Sequence, residues 1–128
     1  MIESEFQIDG WDEQPVDDAE PKLTHTTVTK TFTGDLTGTS QMVYAMVYDL
    51  DGNATLTALE RIDATIGDRT GHLVLRHTGG FADGAATADI EVLAQHGTGD
   101  FAGVTGTGSM RADPAGTMTL DLDLSPNS

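Results

Sequence analysis

Polar and apolar residues alternate along most of this chain, which is the pattern of half-buried β-strands. The clearest example is Asn53–Phe81, which consists of two alternating runs joined at Gly67-Asp68. Before that turn, the even positions are apolar with one exception, and the odd positions are mostly polar. Glycine and aspartate are favoured in tight turns between strands. The stretch is therefore predicted to form a β-hairpin with one face in the core.

Similar alternation predicts strands on both sides of this hairpin. They are a first strand within Met1–Gln14 with Ile2, Phe6 and Ile8 half-buried, then Leu23–Phe32, Ser40–Leu50, Ala86–Ala94, Phe101–Arg111 and a last strand with Met118, Leu120, Leu122 and Leu124 inward. In Leu23–Phe32, neither phase is clearly the core face. Trp11 falls on the other phase of the first strand and is predicted to plug a barrel end or to pack on a neighbouring subunit.

The number and spacing of these strands predict an all-β fold in a single domain, residues 1–128. About eight strands with short turns are typical of an antiparallel up-and-down barrel or a sandwich, and the consecutive short turns favour the up-and-down arrangement. The 15 glycines favour closure into a barrel, because glycine lets strands bend at corners and closure removes exposed edges. The interior of such a barrel is filled by side chains or holds one small ligand.

The strand Ser40–Leu50 differs from its neighbours because it is apolar on both faces. Met42, Tyr44, Met46 and Tyr48 occupy one face, and Val43, Ala45 and Val47 occupy the other. Strands of this kind are covered on both sides. The second cover is predicted to be a terminal segment or another subunit, so a homo-oligomer is expected.

The charge of the chain limits its partners. There are 21 acidic residues against 6 lysines and arginines, a formal net charge of −15. Such a surface repels nucleic-acid phosphates and anionic lipids, so no nucleic-acid or membrane partner is expected. Solubility explains the charge, with attraction of a cationic partner as the alternative. Because no apolar run approaches a membrane span and Met1–Gly10 lacks the features of a signal peptide, a cytoplasmic location is predicted.

Glu60 is the charged exception on the apolar face of the hairpin. A carboxylate in such a place needs a partner, a proton or water. One interpretation makes it a general acid or base whose pKa is raised by apolar surroundings. The other pairs it with an arginine or a tyrosine hydroxyl across the barrel. His77 lies on the same face, where a direct hydrogen bond to Glu60 would have to be diagonal; the histidine is either catalytic or buried and satisfied.

No metal and no cofactor are expected. The absence of cysteine excludes thiolate sites and disulfides. Glu60, His77 and His25 together would have the composition of a two-histidine-one-carboxylate iron site, but no local ligand spacing supports it. The letters of Gly97–Ala102 match a dinucleotide fingerprint, but no strand–helix context accompanies them.

A series of short segments follows in order along nearly the whole chain: Trp11-Asp12-Glu13, Lys22-Leu23, Thr29-Lys30, Gly34-Asp35-Leu36, Gly38, Leu59–Ile62, Gly71, Leu73–His77, Gly97–Gly99, Gly103 and Gly106–Ser109. Together they resemble domain of unknown function 3224, a bacterial family. The resemblance implies an allene oxide cyclase-like, calycin-like barrel around a mostly apolar cavity. The wider group includes cyclases and dirigent-like proteins that guide a reactive small molecule. The resemblance transfers no catalytic residue, and Arg76 stands where glutamine is expected more often.

These observations predict a barrel that binds a small hydrophobic molecule in its lumen, and as an enzyme it would be a cofactor-free cyclase or isomerase. Glu60 would be the acid or base, and Tyr44 and His77 would orient the substrate. The ligand is predicted to contact Met42, Met46, Tyr48, Leu56, Leu73, Leu75 and Leu120. The alternative is a non-enzymatic structural, oligomeric or ligand-carrier barrel with an interior filled by side chains.

Overall fold

Eight antiparallel strands close into a barrel in the computed structural model, which describes residues 1–113 and 116–124. The strands are β1 (Ile2–Pro15), β2 (Leu23–Gly34), β3 (Leu36–Tyr48), β4 (Ala54–Ile66), β5 (Arg69–Ala82), β6 (Ala85–Val92), β7 (Thr105–Ala112) and β8 (Gly116–Asp123). Each strand pairs with the next, and β8 pairs back with β1. The all-β, up-and-down barrel expected from the sequence is confirmed.

Within the described ranges, no helix has the length and hydropathy needed to cross a membrane.

The hairpin formed by β4 and β5 follows its predicted alternation. The even residues of β4, from Ala54 to Ile66, are all buried in the barrel. Glu60 faces Leu75 across the ladder, and Ala58 faces His77. The register therefore places Glu60 and His77 diagonally on the same inner face, as the distance from the turn predicts.

The sequence left the core face of β2 open, and the structure identifies it as the even positions. Thr24, Thr26, Val28, Lys30 and Phe32 point inward and are buried. Threonine on both phases of the strand conceals this face, because the apolar contrast between the phases is weak. One consequence is that Lys30 is buried in the barrel.

A bulge in β1 changes which side chains face the interior. Its register with β2 shifts between Ile8 and Gly10, and an extra residue in one strand reverses the alternation beyond it. Ile8, predicted to be half-buried, is 39% exposed. Beyond the bulge, Trp11 is half-exposed and lies at the rim of the barrel, its ring 5.5 Å from that of Tyr44. Trp11 therefore lines the rim rather than plugging the end.

The opposite end of the barrel is covered by the connection between β6 and β7. This connection contains two 3₁₀ turns, Ala94–His96 and Gly99–Phe101. Phe101 was predicted to begin a strand, but it belongs to the second turn and is fully buried against the start of β5. Several glycines follow Phe101 in the sequence. Because glycines also occur in bent strands, the sequence pattern does not distinguish this turn from a strand.

The outer face of β3 is apolar and adjoins Leu59 on the otherwise polar outer face of β4, and no described part of the chain covers it. Val43 faces Leu59 across the two strands, and these residues are 54% and 52% exposed. The described N-terminal strand pairs with β2 and β8 instead of covering this face. Cover by another subunit stays a prediction.

Candidate functional site

Four polar side chains from successive strands meet in the middle of the barrel. Lys30 comes from β2, Ser40 from β3, Glu60 from β4 and His77 from β5, and all four are buried. The Ser40 hydroxyl donates a hydrogen bond to Glu60 Oε2 at 2.6 Å. His77 Nε2 lies 2.8 Å from Glu60 Oε1, and Lys30 Nζ lies 3.5 Å from Oε2. We call these four residues the deep cluster.

The carboxylate of Glu60 is ionised in this arrangement. Burial acts to raise the pKa of Glu60, but the charge of Lys30 and the hydrogen bonds from His77 and Ser40 outweigh it and lower the pKa below its usual value. This is opposite to the raised pKa expected for a carboxylic acid catalyst. The partners are also a lysine, a histidine and a serine, rather than the expected arginine or tyrosine.

The pKa of Lys30 is also lowered, which favours the neutral amine rather than the charged ammonium. Burial lowers the pKa of Lys30 more than the neighbouring Glu60 raises it, which would weaken the charge that keeps Glu60 ionised. We assign Lys30 and Glu60 as an ion pair because of the contacts that Lys30 makes. Its ammonium lies near the Glu60 carboxylate and 4.2 Å from the centroid of the Phe6 ring. An aromatic face stabilises a desolvated cation.

Two polar atoms near this cluster are buried without a hydrogen-bond partner among the described residues. They are Nδ1 of His77 and Oγ1 of Thr26. Because an ionised carboxylate only accepts hydrogen bonds, the short contact assigns the His77 proton to Nε2. In the neutral ring, Nδ1 then carries a free lone pair.

A pocket of about 210 Å³ opens at the end of the barrel marked by Trp11. Its lining consists of Trp11, Glu13, Tyr44, Met46, Tyr48, Leu56, Phe81 and Ala86. Glu13 Oε2 accepts hydrogen bonds from the Tyr48 hydroxyl at 2.6 Å and from Thr24 Oγ1 at 2.9 Å. Burial, followed by the interaction with Glu13, raises the pKa of Tyr48 to about 12. We call this site the mouth pocket.

The residues predicted as site residues divide into three groups. Tyr44, Met46, Tyr48 and Leu56 line the mouth pocket. Glu60 and His77 belong to the deep cluster, outside that lining. Met42, Leu73, Leu75 and Leu120 are fully buried in the packed core.

Sequence reasoning missed Lys30, Ser40, Trp11 and Glu13 as members of these sites. The signal for Lys30 was present: it is on the same phase as Val28 and Phe32, so an inward Val28 implies an inward lysine. Trp11 and Glu13 reach the pocket only because of the bulge, which alternation alone does not reveal.

The metal arrangement considered from the sequence is not formed, because His25 is exposed on the outer side of β2. Among residues 1–113 and 116–124, no three histidine or acidic side chains are grouped as metal ligands.

Comparisons with known proteins identify the family. The model of the family described as "Protein of unknown function (DUF3224)" matches residues 2–124, nearly the whole chain, so the chain belongs to this family. It is similar to the crystal structure of a protein of unknown function of the DUF3224 family from Shewanella oneidensis MR-1. The identity is 24% and the TM-score 0.78, with 98% of this chain and 97% of that chain covered, which shows the shared fold. No curated protein matches the chain significantly.

Proposed function

We propose that this member of the DUF3224 family binds a small, mostly apolar molecule in the mouth pocket. The observation that carries the proposal is the pocket itself, which opens where the inward residues of β3 and β4 meet the rim residue Trp11. A cavity of about 150 Å³ lined by apolar side chains is large enough for benzene. The mouth pocket, at about 210 Å³, therefore suits a single ring with small substituents.

The polar groups of the pocket are placed to orient such a ligand. Burial and then the charge of Glu60 raise the pKa of Tyr44 well above its usual value, so Tyr44 keeps its proton at neutral pH. It is therefore a hydrogen-bond donor on a wall of the pocket. Binding sites of this kind combine apolar walls with a few polar groups that set orientation.

A second candidate function, cofactor-free cyclisation or isomerisation, is favoured by the electrostatic link between Tyr44 and Glu60. Tyr44 lines the pocket, whereas Glu60 lies in the deep cluster. In this proposal Tyr44 contacts the substrate, and Glu60 and His77 are positioning residues. This second proposal assigns to the barrel a cyclase-like chemistry of the allene oxide cyclase-like kind.

The test of binding uses the single tryptophan of the chain, which lines the pocket. Toluene serves as a one-ring probe. The Trp11 fluorescence is expected to change as toluene is added and to reach a plateau when the pocket is saturated. Ala86→Met fills the pocket from its lining and is expected to weaken this binding by about tenfold or more, a loss of about 1.4 kcal/mol. Ala45→Met on the outer face of β3 is the matched control and should bind as the wild type does.

Two results would overturn the proposal. One is the absence of any saturable response of the wild-type protein to one-ring probes, by fluorescence and by ligand-observed NMR. The other is undiminished binding to a folded Ala86→Met variant, which would place the ligand elsewhere.

A further inference from the structure

Aromatic side chains are concentrated around the mouth pocket. The chain contains one tryptophan, two tyrosines and four phenylalanines. The tryptophan, both tyrosines and one phenylalanine line this single pocket, namely Trp11, Tyr44, Tyr48 and Phe81. The rings of Trp11 and Tyr44 lie 5.5 Å apart and are inclined at 59°, so they form adjoining walls rather than a parallel stack. A ligand that fills the volume of about 210 Å³ is therefore surrounded largely by aromatic groups.

The carboxylates at the pocket give it a negative potential. Among the described residues that line it, Glu13 is the only charged one. Burial and then the charge of Glu60 raise the pKa of Tyr44, and burial and then the interaction with Glu13 raise that of Tyr48. A carboxylate has this effect because it repels the phenolate form. The formal net charge of −15 adds to the attraction of positive groups toward the barrel.

One positive group of the chain already lies on a ring of the pocket. Lys22 Nζ is 5.2 Å from the centroid of the Tyr48 ring, which is within the range of a cation–π contact. Lys22 is not part of the pocket lining, so its ammonium leaves the cavity open. The contact indicates that the aromatic rim attracts a cation.

From these observations we infer that the mouth pocket binds a small organic cation, an ammonium group that carries apolar substituents. The inference rests on the proposed function and names its ligand class. The face of an aromatic ring attracts a cation through the ring quadrupole, and several rings around one site are the usual way in which proteins bind quaternary ammonium groups. Such a ligand is still mostly apolar, as the walls of the pocket require.

The remaining lining residues complete the match to such a ligand. Glu13 at the rim supplies the counter-charge that a partly desolvated cation needs. Met46, Leu56 and Ala86 contact the apolar substituents. An anionic ligand would be repelled by Glu13, and a neutral ring would gain only the contact with the apolar walls.

The experiment compares three one-ring probes that differ in charge. They are phenyltrimethylammonium, its uncharged isostere tert-butylbenzene, and benzoate. Trp11 fluorescence and ligand-observed NMR measure their binding. The wild type is expected to bind phenyltrimethylammonium about tenfold more tightly than tert-butylbenzene, and benzoate least. Ala86→Met, which fills the pocket, should weaken the binding of both the ammonium probe and its isostere.

Two variants separate the contribution of the rings from that of the carboxylate. Phe81→Leu removes a ring and keeps an apolar side chain, so it should weaken phenyltrimethylammonium about fivefold and tert-butylbenzene less than about twofold. Phe81→Tyr keeps the ring and is the matched control. Glu13→Gln should also weaken the ammonium probe selectively, whereas Asp12→Asn, on the outer side of β1, should bind as the wild type does.

The outcomes separate this inference from the proposed function. If no one-ring probe binds, toluene included, the proposed function fails and the inference with it. If toluene and tert-butylbenzene bind but phenyltrimethylammonium binds no more tightly, the pocket exists and is not a cation site. Binding of phenyltrimethylammonium that Ala86→Met and Phe81→Leu leave unchanged would place the cation on the acidic outer surface, which also overturns the inference.

Discussion

Two glutamates inside this barrel stand in contrasting surroundings. Glu60 is fully buried in the deep cluster, where its partners include a lysine and a histidine. Glu13 lies at the rim, where the hydroxyls of Tyr48 and Thr24 donate to it. The difference is one of solvent access, because a buried charge needs a counter-charge and a charge at the rim is stabilised by water and hydroxyl groups.

The two glutamates therefore differ in what they contact: Glu60 links strands inside the barrel, whereas Glu13 borders the mouth pocket. The deep cluster connects four successive strands, and its central carboxylate already has three donors. Glu13 and its donor Tyr48 line the mouth pocket directly. We therefore expect changes in the deep cluster to act first on stability, and changes at the rim to act first on binding and on the titration of tyrosine.

The largest expected effect is that of Lys30→Met. Removing one member of a buried ion pair leaves the charge of Glu60 uncompensated, so the free energy of unfolding is expected to fall by about 3–5 kcal/mol. Urea denaturation followed by circular dichroism measures this loss. Lys22→Met is the matched control, since Lys22 is exposed, and it should change stability by less than about 1 kcal/mol.

A double variant checks the cause of that loss. Lys30→Met with Glu60→Gln removes both charges and is expected to be more stable than Lys30→Met alone. Equal stability of wild type and Lys30→Met would show that the deep cluster stabilises the barrel no more than a surface pair does.

The next effect is the dependence of stability on acid. The pKa of Glu60 in the folded protein is lowered from 4.5, so the unfolded state binds the proton more tightly. The stabilising contribution of Glu60 is therefore present above about pH 4.5 and is lost as the pH falls through the folded-state pKa. Glu60→Gln is expected to flatten the fall in unfolding free energy below about pH 4.5.

Urea denaturation at a series of acidic pH values measures this slope. Glu91→Gln, which changes an exposed carboxylate, should keep the wild-type slope. Parallel slopes for wild type and Glu60→Gln would contradict the ionised state assigned to Glu60.

A smaller effect is expected at the rim. Tyr48 has a pKa of about 12 in the folded protein, raised from 10.0 by burial and by Glu13. Because its protonated form is favoured by folding, the contribution of Tyr48 to stability is present below pH 10.0 and is lost as the pH rises through about 12. Glu13→Gln removes the neighbouring charge and is expected to lower this pKa.

Tyrosinate absorbance measures the shift in a Tyr44→Phe background, because the chain has only 2 tyrosines. Asp12→Asn, next to Glu13 in β1, is the control. An unchanged titration in Glu13→Gln would separate Tyr48 from the rim carboxylate.

The smallest effect belongs to an exposed ion pair on the outer surface. Arg76 Nη1 lies 2.9 Å from Glu91 Oε1, and both side chains are half-exposed. Arg76→Gln is expected to change the unfolding free energy by about 0–1 kcal/mol, because water and salt screen such pairs. A loss as large as that of Lys30→Met would show that burial does not determine how much an ion pair stabilises this barrel.

Alternation in the sequence predicted most of the barrel, because β4 and β5 carry a strong contrast between their phases. It placed Glu60 inward and His77 on its diagonal, and the ladder register agrees. The core face of β2 could not be assigned in the same way, since threonine occurs on both phases. Lys30 was therefore missed, although it is the cation that pairs with Glu60.

The mouth pocket was only partly predictable for a different reason. Tyr44, Met46, Tyr48 and Leu56 follow from alternation on β3 and β4, and they line it. The position of Glu13 depends on the shift of register after Ile8, a single extra residue that leaves no period of its own. Which of the inward residues border empty space depends on packing across the whole barrel, which the pattern of one strand does not contain.

The bulge in β1 divides one strand into two independently adjustable parts. The segment before the shift supplies Phe6 to the core and pairs with both β2 and β8, whereas the segment after it supplies Trp11 and Glu13 to the rim and pairs with β2. Substitutions after the shift therefore change the rim of the mouth pocket, while the segment before it keeps the pairing with β8 that closes the barrel. Deleting Asp9 would remove the bulge and join the two segments in one phase, with Trp11 still opposite Val28 and Glu13 still opposite Thr26 on the inner face.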